Sequence, residues 1–172
     1  MKSLKIASVL ALSLIMVFSA NAQKDKSKRK SPPAQVSQEI DGTKITIDYS
    51  KPSKKGRDIF GGLEAYGKVW RTGANESTWI ELSSDVEVEG KKLAAGKYGL
   101  FTIPGEDEWT IIFNKKWDGW GAYEYKEADD VLRVKVKPSS TDGVVEVFSI
   151  DIEKSGDVII AWDQTKVEFS IR

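Results

Sequence analysis

An all-β fold, a single-domain antiparallel β-sandwich of the jelly-roll kind, is predicted by three observations. Apolar and polar residues alternate in short runs along most of the chain. Turn signals such as Asp41-Gly42, Glu89-Gly90, Pro104-Gly105 and Asp163-Gln164-Thr165 recur between these runs, at spacings of about 8–12 residues. No stretch carries the 3.6-residue apolar period of an amphipathic helix, so about ten short strands and one long glycine-rich crossover account for the chain.

Residues 1–22 read as a signal peptide. Lys2 and Lys5 supply the positive start, residues 6–18 the apolar core, and Ala20-Asn21-Ala22 a small-x-small cleavage site. The apolar run is shorter than the ~20 residues of a spanning helix, and no second such run follows. The expectation is an exported chain, periplasmic or secreted, cleaved after Ala22 and with no transmembrane segment after cleavage. From Gln23, 150 residues remain, enough for one core without covalent staples.

The chain has no cysteine and no histidine. Stability therefore rests on packing, and zinc chemistry and the usual Ser-His or Cys-His nucleophile pairs are disfavoured. Whole-chain charge is zero, but its distribution is uneven. Residues 24–30 hold five Lys/Arg and one Asp, whereas residues 31–172 hold 19 basic and 25 acidic residues, a net charge of −6. Residues 23–33 are thus a basic linker, either solvated or in contact with an anionic surface, and residues 34–172 an acidic domain. That acidity, without a basic helix, argues against nucleic acid.

In chain order, residues 35–40 and 43–49 form a first hairpin around Asp41-Gly42. Ile45, Ile47 and Tyr49 share its inner face, and Lys51-Pro52 ends it. Alternation resumes over residues 76–83, placing Thr78, Ile80 and Leu82 inside and Trp79 on the wet face. Val86 and Val88 lead into a hairpin at Glu89-Gly90-Lys91, and residues 98–103, apolar on both faces, make a central strand. Residues 109–113 return after Pro104-Gly105. Residues 114–130, with Trp117, Trp120, Tyr123 and Tyr125 but no clean period, form a capping loop or lid. Strands follow at 131–136 and 144–152, and the chain closes with Val158, Ile160 and Trp162 facing Val167, Phe169 and Ile171 across the turn at 163–165.

Residues 50–76 interrupt this pattern. Ile59, Phe60, Leu63, Tyr66, Val69 and Trp70 anchor the segment, and its glycines permit tight turning. Long non-strand segments in compact β domains tend to carry function.

The blocks ITIDYSKPSKKGRDIFGGL, YGKVWRTGANE, LAAGKYGLFTIPGEDEWTIIFN and DVLRVKVKP, in this order, resemble the bacterial exported family catalogued as domain of unknown function 2911. The resemblance covers residues 31–172. It implies an exported, all-β, single-domain protein and brings no established activity with it. Trp79 and Ala94 depart from a family pattern that more often has a threonine-like residue and a proline there.

Candidate chemistry gathers in the crossover. Lys51, Lys54, Lys55, Arg57, Lys68 and Arg71 concentrate positive charge in an acidic fold. Arg57 and Arg71 offer planar forks for a carboxylate, phosphate or sulfate, with Asn75 and Glu76 beside them. Against this, the lysines also suit a solvated turn, and the alternative for Arg71 is an ion pair with Glu76 or Asp58. Trp117 and Trp120 offer flat faces for a sugar ring, or else cap the sandwich. Glu76 with Asp58 would supply the paired carboxyls of a glycoside-type hydrolase, which need no histidine. Neither Asp129-Asp130 nor Glu106-Asp107-Glu108 has calcium-loop spacing, so no metal and no cofactor are expected. The reading is a binding module for a small anionic or glycan-like ligand, with a carboxylate-based hydrolase and a structural or interaction module of the cell envelope as alternatives. Oligomeric state is left open.

Overall fold

The computed structural model describes residues 25–172; the segment read as a signal peptide and the start of the expected basic linker lie outside them. Ten strands follow in chain order: β1 (Pro33–Ile40), β2 (Thr43–Ser50), β3 (Trp79–Leu82), β4 (Val86–Val88), β5 (Lys91–Leu93), β6 (Gly96–Ile103), β7 (Trp109–Asn114), β8 (Asp130–Val136), β9 (Ser139–Ile152) and β10 (Asp157–Ser170). Six of them form one antiparallel sheet in the order β1-β2-β3-β6-β7-β8.

The second layer is built around the β9–β10 pair. At one edge the β4–β5 hairpin joins the end of β10, where the Glu87 amide donates to Arg172 O at 2.7 Å and the Arg172 amide to Glu87 O at 2.9 Å. At the other edge the crossover adds a short rung to β9. There the Phe148 amide donates to Pro52 O at 2.9 Å and the Lys54 amide to Glu146 O at 2.7 Å.

Between the layers lies the core. Ile45, Ile47, Ile80, Leu82, Ile111 and Phe113 of the large sheet meet Phe148, Ile150, Val158, Ile160, Trp162 and Phe169 of the other, all buried. Each such side chain contributes about 1.5–3 kcal/mol by leaving water. Tyr49 crosses the gap. Its hydroxyl accepts from the Ile150 amide at 3.1 Å and donates to the Ile150 carbonyl at 3.3 Å, which satisfies a buried phenol and pins the two sheets in register.

β6 is central, as its two apolar faces predict, and its outer face is sealed by residues 115–129. Phe101 and Ile112 are buried there, with the Tyr125 ring 5.2 Å from that of Phe101. A Cβ on Gly99 would run into the Lys116 carbonyl, so only glycine lets the lid backbone approach this closely. Trp117 and Trp120 lie in this lid and in no strand, 38% and 53% exposed.

Two strand readings are corrected. Residues 163–165 make no hairpin turn, because β10 runs through them and pairs with β9 on both sides. Asp163, at φ +57°, takes up its turn-like backbone as a bulge, which keeps the ladder to β9 instead of exchanging it for a local pairing. The strand expected over 76–83 starts only at Trp79, since Glu76 pairs with Trp120 of the lid instead.

Candidate ligand-binding site

The crossover folds back on itself before reaching β3. The amides of Leu63 and Glu64 donate to Asp58 O and Ile59 O, each at 2.9 Å, closing a turn over residues 58–64. A Cβ on Gly62 would sit 2.5 Å from the Asp58 carbonyl, so this closure requires glycine at that point. The turn brings Glu64 round to the side that Arg57 occupies.

Beyond it the Trp70 amide and carbonyl pair with Thr102 of β6 at 2.8 and 3.0 Å, and the indole NH donates to Gly73 O at 3.1 Å. Thr72 is fully buried at φ +55° and Asn75 sits at φ +61°. A β-branched residue at positive φ costs of order 1–3 kcal/mol and persists only where its surroundings over-determine it. Here they do. The Thr72 hydroxyl donates to that of Thr102 at 3.2 Å, and the Thr72 carbonyl accepts from the Thr78 hydroxyl at 2.8 Å. This strained turn carries Arg71 on one side and Asn75 on the other.

The result is a cavity of about 290 Å³ whose walls include Arg57, Glu64, Arg71, Asn75, Trp120 and Trp162. Arg57 folds onto its own turn, its Nε donating to Lys54 O at 2.9 Å and its Nη2 to Ser53 O at 2.6 Å. Lys54, ion-paired to Asp163 at 2.8 Å, secures that turn to β10. Arg71 is different. Its Nε is buried with no acceptor among the described residues, and none of their carboxylates lies within ion-pair distance of its guanidinium. The Trp162 indole NH, on a side chain 1% exposed, likewise has no acceptor among the described residues. The Asn75 amide donates to Ser31 O at 2.8 Å.

Glu64 completes the wall. Its carboxylate accepts no hydrogen bond among the described residues, and burial pushes its pKa up to about 7 against the pull of Arg71 and Arg57. The same cavity shares Ser31 and Arg57 with a neighbouring depression that adds Lys30 and Lys55, so its mouth is basic.

Glu76 points elsewhere. It lines a separate cavity of about 250 Å³ with Lys26, Asp48, Trp79, Trp117 and Asp118. Arg29 Nη1 donates to both of its oxygens, at 2.7 and 3.0 Å, and Lys26 pairs with it at 3.1 Å. Partial burial opposes the effect, but these cations hold the Glu76 carboxyl below its ordinary range. Arg29 also stands 5.8 Å over the Trp120 ring, so the basic arm lies against the domain between the two cavities. Lys97 sits between the rings of Trp79 and Trp117, 3.4 and 4.1 Å from their centres.

Of the residues expected to form a site, Arg57, Arg71, Asn75 and Trp120 therefore meet in one cavity, and Glu76 and Trp117 in another. Asp58 lines neither. Sequence reasoning missed Glu64 and Trp162. The pair Gly61-Gly62 just before Glu64 signals a chain reversal, whereas Trp162 reads as an ordinary inward strand residue.

An antiparallel sandwich with a charged, tryptophan-walled cavity at its crossover is the class of protein that fold and site define. A family model described as "Protein of unknown function (DUF2911)" matches residues 31–171, and the chain belongs to that family. No curated protein and no solved structure matches the chain. No helix among the described residues is long and apolar enough to cross a membrane.

Proposed function

We propose that this protein is an exported binding module, whose ligand is a small anion-bearing molecule held in the crossover cavity by Arg71 with help from Arg57. The observation that carries the reading is the Arg71 guanidinium, which lines the cavity and makes no hydrogen bond or ion pair among the described residues. A guanidinium left without acceptors forgoes charge-assisted hydrogen bonds, which a carboxylate, phosphate or sulfate oxygen in the cavity would supply. An arginine with a purely structural role would have acceptors within the fold, and the strained turn at Thr72 is the kind of feature found where a site is held rigid. Export follows from the n-region, apolar core and cleavage site of residues 1–22, and a mature protein beginning at Gln23 by mass is the expected form.

The test is a thermal-shift and calorimetric screen of small carboxylates, phosphate, sulfate and acidic sugars on the mature protein. A ligand at 100 times its Kd stabilises the fold by about 2.7 kcal/mol. Arg71→Lys keeps the charge but loses the fork, so it should weaken binding by about 1.5–3 kcal/mol with folding nearly intact. Unchanged binding would mean a diffuse field, and an unfolded variant would make Arg71 a structural residue.

A further inference from the structure

The cavity presents charges of both signs, and they do not neutralise each other. Arg71 comes from the turn after Trp70 and Arg57 from the turn after β2, while Glu64 comes from the glycine-closed turn between them. No guanidinium nitrogen of either arginine lies within 4.0 Å of the Glu64 carboxylate, although both arginines are near enough to pull on its titration. The remaining walls, from β10 (Trp162), the lid (Trp120) and Ser31, add no charge among the described residues. A wall whose only role was packing would close such a pair into a salt bridge. Two poles unpaired among the described residues, on the walls of one cavity that also has two indoles, instead match a ligand that carries its own two poles.

We infer that the ligand is zwitterionic, a small molecule of amino-acid size whose carboxylate meets Arg71 and whose ammonium group meets Glu64. This rests on the anion-binding reading above and extends it. Trp120 adds an indole to the wall. The same geometry makes Glu64 the residue that separates a zwitterion from a plain acid, since an ionised Glu64 repels a lone anion and welcomes an ammonium.

The experiment is calorimetry of the mature protein with three matched probe sets at pH 6, 7 and 8. Alanine, β-alanine and 4-aminobutyrate vary the distance between the poles, propionate and butyrate lack the ammonium, and propylamine and butylamine lack the carboxylate. At least one zwitterion should bind about tenfold or more tightly than its deaminated acid, and should tighten from pH 6 to pH 8 as Glu64 ionises. Glu64→Gln, whose side chain replaces one with no hydrogen bond to lose among the described residues, should erase that preference to within about twofold and flatten the pH profile.

A plain acid that binds as well as the zwitterion, and tightens as pH falls, overturns the zwitterion and leaves the anion site standing. Binding that is indifferent to Arg71→Lys overturns both, as does the absence of binding by every probe together with none by phosphate or sulfate. Because the comparison among probes is made on the unaltered protein, it decides the matter even if Glu64→Gln fails to fold.

Discussion

Glu64 is the residue at which burial and charge compete most openly. Its carboxyl titrates at about 7 in the folded chain against an ordinary value of 4.5. Between those values the folded state holds a proton that the unfolded state has released, so the term favours folding in acid and is lost as pH rises through that window. Glu64→Gln cannot ionise. In urea denaturation the variant should gain on the unaltered protein steadily from pH 4.5 to 7 and then run parallel to it. A difference independent of pH would show that the carboxyl is as well solvated folded as unfolded. Arg71 and Glu64 also mark how far residue types alone can be read. The arginine stands out by charge and neighbours, while the glutamate acquires meaning only from the backbone reversal at Gly61-Gly62.

Among the elements, the lid shows most clearly what composition can and cannot say. Its aromatic content and lack of period mark it as a cap, and it is one, over Phe101 and Ile112. Its attachment is by backbone, with the Gly121 amide on Asn75 O at 2.9 Å and the Ser77 amide on Gly119 O at 3.0 Å. At its far end Tyr125, Asp130 and Arg133 are mutually hydrogen-bonded, and burial, with the Asp130 hydrogen bond, raises the Tyr125 phenol to about 12. Gly99→Ala should push the lid off β6, costing about 1–3 kcal/mol as overpacking and speeding amide exchange at Gly119 and Gly121. In the unaltered chain these amides should exchange faster than those of Leu100 and Phe101. A stable Gly99→Ala with unchanged exchange would mean the lid does not depend on that close approach.

At the scale of the molecule, alternation and turn chemistry made the large sheet legible almost strand by strand, because one buried face forces a two-residue period. The second layer was less so. β10 looks like two short strands because Asp163 tolerates positive φ, and nothing local distinguishes a bulge from a turn; the deciding partner, β9, is fixed by tertiary pairing. The separation of Glu76 from Arg71 was hidden for the same reason, since neighbours along an irregular segment can face different cavities. Trp70 and Trp79 test the resulting picture of inside and outside. Trp70, 2% exposed, sits among Phe60, Trp109, Phe148 and Trp162, so Trp70→Ala should cost about 3–5 kcal/mol. Trp79→Ala, which loses the Lys97 contact on the outer face, should cost much less in chemical denaturation. Equal costs would place Trp79 in the core.

The indoles of Trp70 and Trp162 lie nearly parallel, 19° apart with centres separated by 6.0 Å. Two chromophores that close share their excited states, so their near-ultraviolet circular dichroism belongs to the pair and changes sharply with small rotations of either ring. One member is bolted to the strained turn that bears Arg71, and the other forms a wall of the cavity. The protein thus carries its own optical gauge at the place where a ligand would sit, readable without label or cofactor.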